Sequence, residues 1–547
     1  MKPLRRTFVV ALFVAAAACS SSPSVTTANP PTSATPSRGA PQTSRFLERL
    51  ACGLPRDQLL RIWRGYHPDR SADLLLVPKE PHVLGNWFPH SGPWDYLQRI
   101  PMFWYGPGHV PARGRVARTV TMADVAPTLA KHLDFRFEAP DGRPMAETVR
   151  PEADRPPPRL ILVVVWDGGG RNVLSEHPRD WPVLRSLIPK GVWYENAEVG
   201  SSPSLTPPVH VTLGTGAFPR HHGVVDARLE LDGELARPES TWPEVLPIPT
   251  LADLYDRALG NRPQVGLIAS LNWHLGMVGH GSFLRGGDRD IAVLQLKDHW
   301  GLGAGMAEFF QAPQYTTSTA GFEELGARID REDGVVDRSW FADQFVNGAN
   351  LLLKHRTVDW QTHLIQEVVR REGFGDDRVP DLLFVNYKQI DSVSHSESMN
   401  SPDMGAAVRR TDAATGNLIE LLNREVGRGQ WIMVLTADHG ATPSPEVSGG
   451  FFMHPRAVAD DLRAALDDSE ARELGLVTRP TQMWLDEEEL RSNGFTIGDA
   501  ARFLSLYTRG QYVSDPAQLS PPDREERLFS VALPGWLLER LPCLPAA

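Results

Sequence analysis

The chain has 547 residues, of which 41% are hydrophobic and 22% are charged. This composition excludes an intrinsically disordered protein and allows one large domain or two to three domains of average size. The formal net charge of −11 gives no indication of a nucleic-acid partner, because binding to a phosphate backbone needs a basic surface.

The first residues have the pattern of an export signal. A lysine and two arginines precede an apolar stretch, 8–18, that is too short to span a bilayer. We interpret residues 1–18 as a signal peptide. Cys19 follows three alanines, which resembles the bacterial lipoprotein signal, so we expect an exported protein held at the outer side of the cell membrane by a lipid on Cys19. The alternative is ordinary signal cleavage with no role for this cysteine.

Residues 19–44 are mostly Ser, Thr, Pro and Ala, a composition that cannot form a packed core and predicts a flexible tether. Beyond Cys19 the chain holds two cysteines, Cys52 and Cys543. Two remaining thiols in an exported protein predict one disulfide, which would join the two ends of the folded part. The alternative is two free thiols.

Residues 45–150 begin with a helical pattern and continue with the apolar run ADLLLVP, a loop that carries His90, a strand (IPMFWYGPG) and a helix (MADVAPTLAKHLDF). From 151 to 450, strands alternate with helices, which indicates an α/β fold around a largely parallel sheet with helices on both faces. Continuous apolar strands such as ILVVV and WIMVL are typical of sheets covered on both faces.

Two regions depart from this alternation. Residues 288–375 are polar and irregular, and we interpret them as an insertion over the site. Residues 451–547 read as a cap and closing segment, in which 455–525 form a small α+β unit.

Three aspartates, Asp167, Asp391 and Asp438, each follow an apolar run. Because ligands bind beyond the carboxyl ends of parallel strands, these carboxylates should meet at one edge of the sheet. A single aspartate at a strand end is more often a turn residue or a helix cap. Three of them, two with a nearby histidine, favour a metal site.

The nearby histidines are His395, four residues after the second aspartate in a loop-like stretch, and His439, directly after the third. Carboxylates and imidazoles at these spacings can hold zinc. The segment SPSLTPPVH adds Thr206, and the N-terminal loop adds His90. Three carboxylates, three imidazoles and one hydroxyl together predict two adjacent divalent metals, which we expect to be zinc, beside a covalent nucleophile.

Four stretches of the chain resemble the alkaline phosphatase superfamily, particularly its nucleotide pyrophosphatase/phosphodiesterase branch. They are VVVWDGGG, SPSLTPPVHVTLGTGAFPRHHGVV, VNYKQIDSVSH and VLTADHGA, and they follow the family's order over most of 160–445. The resemblance implies a first zinc held by Asp167, Thr206, Asp438 and His439. It implies a second zinc held by Asp391, His395 and one further histidine.

In the family, that further histidine follows the DHG motif and precedes a strand and a helix. Here the matching stretch, PHSGPWDYLQRIPMFWYGPG with TMADVAPTLAKHL, lies within 84–132. The chain therefore resembles a circularly permuted member, in which 45–150 supplies the family's C-terminal piece and His90 the remaining ligand. The alternative ligand is His454, which would require an unpermuted chain and a structural His90.

Thr206 is the expected nucleophile, because the resemblance implies in-line attack on phosphorus and a phosphothreonine intermediate. A threonine before two prolines also suits the start of a helix, and the two roles are compatible. We expect this helix to direct the positive end of its dipole at the anionic substrate.

The chain departs from the family where the substrate is bound. Asn272 and His274 stand where monoesterases have a lysine and an arginine, so we treat both as candidate substrate-binding residues, with a polar lining as the alternative. Asp226 and Ala227 stand where phosphodiesterases usually have an asparagine. The loss of cations favours a monoanionic diester over a dianionic monoester.

The leading hypothesis is an exported, membrane-tethered, two-zinc hydrolase of small-molecule phosphodiesters or pyrophosphates. A phosphomonoesterase is the first alternative. A catalytically weak lipoprotein that keeps the metals is the second. A sulfatase is disfavoured, because its modified cysteine or serine motif is missing.

Overall fold

The computed structural model describes residues 41–86, 88–150, 157–296, 300–303, 305–333, 357–466 and 476–545. The predicted signal peptide, Cys19 and the tether up to residue 40 lie outside the described residues. The first described helix begins at Pro41, within the segment that we predicted to be tether. In the described part of the chain, no helix is both long and apolar enough to cross a bilayer.

The strands, labelled in chain order, are β1 (Leu74–Pro78), β2 (Val83–Leu84), β3 (Met102–Tyr105), β4 (Gly114–Thr121), β5 (Leu160–Trp166), β6 (Val192–Glu198), β7 (Leu229–Leu231), β8 (Glu234–Ala236), β9 (Val265–Ala269), β10 (Asp290–Gln295), β11 (Trp300–Gly301), β12 (Phe310–Gln311), β13 (Asp381–Tyr387), β14 (Trp431–Thr436), β15 (Phe452–Met453), β16 (Leu476–Thr478), β17 (Gln482–Leu485) and β18 (Phe529–Pro534).

The α-helices are Pro41–Ala51, Arg56–Gly65, Asp95–Gln98, Val125–His132, Arg171–Glu176, Pro182–Leu187, Thr206–Thr215, Pro219–His222, Leu251–Ala258, Phe322–Asp330, Thr357–Glu372, Gln389–Glu397, Pro402–Leu422, Pro445–Ser448, Pro455–Leu466, Glu487–Ser492, Ile497–Leu506, Arg509–Tyr512, Pro521–Glu525 and Gly535–Leu538.

A ten-stranded sheet, which we call the large sheet, forms the centre of the fold. Its strand order is β11-β10-β9-β13-β5-β14-β3-β6-β4, with β12 paired to β10. The five strands from β10 to β14 in this order are parallel, whereas β3 runs antiparallel between β14 and β6. The carboxyl ends of the five parallel strands therefore share one edge. This topology confirms the predicted α/β class.

Both faces of the large sheet are covered, which explains its continuous apolar strands. Ile161, Val163 and Val165 of β5 pack into the core on one face. Leu160, Leu162, Val164 and Trp166 alternate with them and pack into the core on the other face. Every residue of β5 is buried as a result.

A second, antiparallel sheet has the order β16-β17-β1-β18 and a hydrophobic core of its own. Its strands come from both ends of the chain, because β1 is N-terminal and the other three are C-terminal. The predicted disulfide is present in this region, with Cys52 Sγ and Cys543 Sγ 2.01 Å apart. The predicted cap thus includes β1, which the sequence placed in the catalytic piece.

The N-terminal region also completes the large sheet, through β3 and β4. The predicted insertion, 288–375, contributes β10, β11 and β12 to the edge of that sheet. The helix Thr357–Glu372 from the same region packs on one face, where the Gln361 side chain donates hydrogen bonds to backbone carbonyls of two adjacent strands. Residues 334–356 of the predicted insertion lie outside the described residues.

Candidate metal centre and nucleophile

The three predicted aspartates lie together at the carboxyl edge of the large sheet. Asp167 directly follows β5, and Asp438 follows β14. Asp391 follows β13 and lies in the helix Gln389–Glu397. All three are at most 1% exposed. The edge of the sheet therefore buries three carboxylates that the chain separates by up to 271 residues.

Glycines allow the three loops to approach one another. Gly168 has φ +71°, and a Cβ added to it would lie 2.9 Å from Cα of Asp391. A Cβ on Gly170 would lie 2.4 Å from Cα of Gly440. Gly168 and Gly170 are therefore required by direct backbone contact between the loops that carry the aspartates.

One group of candidate ligands consists of Asp391, His395 and His90. His90 Nε2 lies 3.3 Å from Asp391 Oδ1 and 3.2 Å from His395 Nε2. His395 Nε2 lies 3.5 Å from the same carboxylate oxygen. We predicted a loop around Asp391, but this stretch is helical. The four-residue spacing therefore puts the Asp391 carboxylate and the His395 imidazole on one helix face.

His90 reaches this group from the N-terminal loop, whereas His454 does not join it. His454 is exposed just before the helix Pro455–Leu466, and its Nδ1 accepts a hydrogen bond from the backbone N–H of Arg456. The histidine beside Asp391 therefore comes from the N-terminal part of the chain. The stacking of His90 on His439, with ring centroids 3.5 Å apart, connects it to the second group.

The second group consists of Asp167, Asp438 and His439, whose ligand atoms all lie within 4.8 Å of one another. His439 Nε2 is 3.3 Å from Asp438 Oδ2 and 3.7 Å from Asp167 Oδ1. The same nitrogen lies 3.8 Å from Asp391 Oδ1. The two groups are thus adjacent.

Unpaired buried atoms show that these residues fit divalent metals. Asp391 Oδ1, Asp438 Oδ2 and His439 Nε2 are buried without a hydrogen-bond partner, which is costly unless a cation compensates it. His90 Nδ1 donates to the carbonyl of Ser204, so its Nε2 presents a lone pair to the site. Carboxylate and imidazole donors in this arrangement suit zinc and other divalent ions.

The carboxylates of the centre are ionised. Burial would raise the pKa of Asp391, but the neighbouring His395, Lys388 and His90 outweigh burial and lower it. In the same way, the pKa of Asp438 falls to about 2, chiefly because His439 lies beside it. Metal ligands must be deprotonated, so these shifts prepare the site for a cation.

Thr206 is the first residue of the helix Thr206–Thr215 and is 3% exposed. Pro207 and Pro208 follow it and carry no backbone N–H, and the N–H of Val209 is bonded to the carbonyl of Leu205. Few N–H donors in this first turn can face an anion. The predicted action of the helix dipole on the substrate stays a prediction.

Lys388, which we did not predict, places a positive charge at Thr206. Its Nζ donates to Asp167 Oδ1 at 2.8 Å and to Thr206 Oγ1 at 3.0 Å, and lies 2.8 Å from Asp391 Oδ2. Burial disfavours the ammonium form, but Asp167 and Asp391 outweigh burial and raise the pKa of Lys388 above its ordinary value. Its position three residues before Asp391 was the signal available in the sequence.

Two further polar residues hold the nucleophile and Asp167 in place. His210 lies one helical turn after Thr206, and its Nδ1 donates to the Thr206 carbonyl at 2.7 Å. The side-chain nitrogen of Asn386 donates to Asp167 Oδ2 at 2.9 Å and lies 3.0 Å from His210 Nε2. The four-residue spacing of Thr206 and His210 in TPPVH could have indicated this contact.

The two candidate substrate-binding residues are placed differently. His274 is fully buried, and its Nε2 lies 3.2 Å from Asp167 Oδ2, so it contacts a candidate ligand. The Asn272 side chain donates to the backbone carbonyl of Glu239. Contact of either residue with a substrate stays a prediction. Asp226 is fully buried and faces Arg479 and Gln482 of the second sheet region, not the candidate ligands.

Comparison with known proteins places the chain in a family. A family model described as type I phosphodiesterase/nucleotide pyrophosphatase matches residues 161–540. The chain is 34% identical over 135 residues to alkaline phosphatase PafA of Elizabethkingia meningoseptica, which covers 24% of this chain and 25% of PafA. It is 26% identical over 109 residues to a calcium-transporting ATPase of Myroides odoratus, which covers 18% of this chain and 20% of that protein. The matched segments span a quarter or less of these curated relatives.

The crystal structure of wild-type PafA superposes with a TM-score of 0.53 at 17% identity, over 64% of this chain and 76% of the PafA chain. At this identity the likeness shows the fold. The family model extends over most of the chain and includes the three aspartates, His395, His439 and Thr206. The protein therefore belongs to the type I phosphodiesterase/nucleotide pyrophosphatase family, within the alkaline phosphatase superfamily.

Proposed function

We propose that this protein is a two-zinc hydrolase of phosphodiester or pyrophosphate bonds in small molecules, with Thr206 as the nucleophile. One observation carries the proposal. Three buried ligand atoms that lack hydrogen-bond partners, on Asp391, Asp438 and His439, converge at the sheet edge that also holds the Thr206 hydroxyl. Family membership supports phosphoric esters as the substrate class.

Two ligand sets would hold the metals. Asp391, His395 and His90 would bind one ion, and Asp167, Asp438, His439 and Thr206 would bind the other. When bound, the two ions would offset the charge of the phosphoryl group and favour the ionised form of the threonine hydroxyl.

The side chains then have distinct tasks. Thr206 Oγ attacks phosphorus in line with the leaving oxygen, so that the bond from Oγ to phosphorus forms as the bond to the leaving oxygen breaks, and the hydroxyl proton passes through solvent to the leaving oxygen. Water then attacks the phosphothreonine, its oxygen bonds to phosphorus as the bond from phosphorus to Oγ breaks, and one of its protons restores the Thr206 hydroxyl as the phosphate product is released. His210 fixes the backbone of the nucleophile, and Asn386 orients Asp167.

The proposal is tested with bis-p-nitrophenyl phosphate and p-nitrophenyl phosphate, with and without a chelator. We expect the diester to be turned over, chelation to stop turnover, and Thr206→Ala to lower kcat at least about 1000-fold. Thr317→Ala, at an exposed threonine, is the matched control. Full activity of Thr206→Ala would exclude the mechanism. Zinc binding without turnover of any phosphoester would instead favour the metal-keeping lipoprotein.

We also propose that the chain is a circular permutation of its family. In support, the N-terminal segment supplies β3, β4 and the histidine next to Asp391, and the Cys52–Cys543 disulfide holds the two chain ends together. A re-cut chain, in which 157–545 precede 41–150 through a short linker, should fold and bind zinc as the parent does. Loss of the native circular dichroism spectrum in the re-cut chain would contradict this.

Export and lipidation of Cys19 form a separate part of the proposal. The disulfide supports it, because such bonds persist in oxidising compartments. Expressed with its own leader in a bacterial host, the wild-type protein should be found in the membrane fraction, and Cys19→Ser should be released as a soluble exported protein. A soluble wild-type protein would refute the anchor.

A phosphomonoesterase is the second candidate function, and the ammonium group of Lys388 beside Thr206 favours it. A dianionic monoester gains more from an extra cation than a monoanionic diester does.

A further inference from the structure

In the part of the chain that the structure describes, Lys388 is the one cationic side chain that touches both the nucleophile and the carboxylates of the centre. Among the described residues, no other lysine or arginine forms an ion pair with Asp167, Asp391 or Asp438. The side chain is 13% exposed, and its three shortest polar contacts, at 2.8, 2.8 and 3.0 Å, are to Asp167, Asp391 and Thr206. Three contacts match the three N–H donors of an ammonium group.

Among the described residues, few other groups place positive charge near Thr206. The first turn of its helix contains two prolines and so lacks two backbone N–H groups. Asn272 and His274 stand where we expected a lysine and an arginine in a monoesterase, and His274 is buried against Asp167. A phosphoryl group on Thr206 would therefore meet Lys388 before any other cationic side chain described here.

We propose that Lys388 is a third cation of the active site, a catalytic residue that binds the phosphoryl group during transfer and determines whether dianionic monoesters are accepted. This rests on the proposed function. A phosphorus atom bonded to Thr206 Oγ1 carries its non-bridging oxygens next to the same ammonium group. A monoester presents one more negative charge there than a diester, so the ammonium stabilises its transfer more strongly.

The same geometry sets Lys388 in competition with metals. Its ammonium group forms ion pairs with oxygens of Asp167 and Asp391, and these two aspartates belong to the two candidate ligand sets. When metals bind, it must give up part of these contacts, and its charge remains a few ångströms from theirs. Removing the charge should therefore increase the affinity for zinc.

The experiment compares wild type, Lys388→Met and Lys388→Arg, with the exposed Lys190→Met as control. Zinc affinity is measured by competition with a chromogenic chelator, and kcat/KM is measured for p-nitrophenyl phosphate and bis-p-nitrophenyl phosphate. For Lys388→Met we expect about tenfold tighter zinc binding. We also expect kcat/KM for the monoester to fall about 100-fold, and that for the diester to fall less than about tenfold. Lys388→Arg should retain the preference between the substrates better than Lys388→Met.

Equal losses for both substrates, or no change, would overturn the proposal while leaving the proposed function intact. A wild-type protein that hydrolyses neither substrate would instead overturn the proposed function and with it the substrate role of Lys388. Weaker zinc binding by Lys388→Met would overturn the competition between the ammonium group and the metals, whatever the activities. If Lys388→Met does not fold, Lys388→Gln, which also removes the charge, supplies both measurements.

Discussion

Two carboxylate clusters lie at opposite edges of the large sheet. The carboxyl-edge cluster consists of Asp167, Asp391 and Asp438. The amino-edge cluster consists of Asp256, Asp288 and Asp290, which have carboxylate oxygens within 4.8 Å of one another. Asp290 is the first residue of β10, and β10 runs parallel to the strands that end at the carboxyl-edge cluster.

The surroundings of the two clusters differ in charge. At the carboxyl edge, Lys388 and several histidines outweigh burial and lower the pKa of Asp167 and Asp391. At the amino edge, burial raises the pKa of Asp256 to about 7, and the carboxylates of Asp288 and Asp253 add to the rise. Burial and the carboxylates of Asp256, Asp253 and Asp288 raise the pKa of Asp290 well above its ordinary value.

Burial alone therefore does not decide whether a carboxylate can serve as a metal ligand. Both clusters bury aspartates, but cationic and imidazole neighbours lower the pKa of Asp167 and Asp391, whereas burial among other carboxylates raises the pKa of Asp256 and Asp290. Raised pKa values favour the protonated forms of Asp256 and Asp290. Perturbed groups with specific partners are the ones that mark a functional site.

The largest expected effect comes from removing a charge from the carboxyl-edge cluster. Asp391→Asn takes away a ligand oxygen and leaves Lys388, His90 and His395 without their common partner. We expect kcat/KM for phosphoesters to fall at least about 1000-fold, together with loss of bound zinc measured by elemental analysis. Asp288→Asn, at the exposed member of the amino-edge cluster, should change neither quantity. Similar losses of activity and zinc in both variants would contradict the claim that the carboxyl-edge cluster, and not the amino-edge cluster, binds the metals.

A smaller effect is expected when one imidazole is removed. His90→Ala should weaken zinc binding about 10- to 100-fold, because the second ligand set keeps its members and one ligand of the first is lost. His454→Ala is the matched control, since that histidine is exposed and away from Asp391. Chelator competition measures both affinities. If His454→Ala weakened binding and His90→Ala did not, the N-terminal loop would not belong to the site.

The smallest effect concerns stability at the amino-edge cluster. In the folded protein Asp256 has a pKa of about 7. In the unfolded chain its pKa returns to the ordinary aspartate value, near 4. The folded state binds more protons between these values, so the free energy of unfolding falls as the pH rises from about 4 to about 7. Asp256→Asn should remove this loss and raise the free energy of unfolding at pH 8 by about 1–3 kcal/mol.

Urea unfolding of both proteins at pH 5 and pH 8 measures this change. The gain from Asp256→Asn should be greater at pH 8 than at pH 5. A variant that is less stable than wild type at pH 8 would show that the folded protein needs the charged form of Asp256. That result would contradict the statement that burial disfavours this form.

The sequence predicted the parallel core and the convergence of the three aspartates, because apolar strands followed by aspartates constrain where loops meet. It did not place β1, since an apolar run of five residues fits either sheet and long-range pairing decides between them. It also treated the stretch around Asp391 as a loop, although a four-residue spacing to His395 suits a helix face.

The role of Lys388 was not predicted, for a different reason. A lysine three residues before an aspartate is ordinarily a solvated surface residue, and only the fold shows that Lys388 turns toward Asp167 and Thr206. His210 and Asn386 likewise gain their roles through contacts between separate elements. Residue types and strand ends therefore indicate where a site lies, whereas the partners within it depend on tertiary packing.

The most direct test is anomalous X-ray scattering at the zinc edge from crystals of the zinc-loaded protein. We predict two adjacent peaks at the carboxyl edge of the large sheet, one bounded by Asp391, His395 and His90 and the other by Asp167, Asp438 and His439. Peaks located only at the amino-edge cluster, or a peak ligated by His454 in place of His90, would contradict the account.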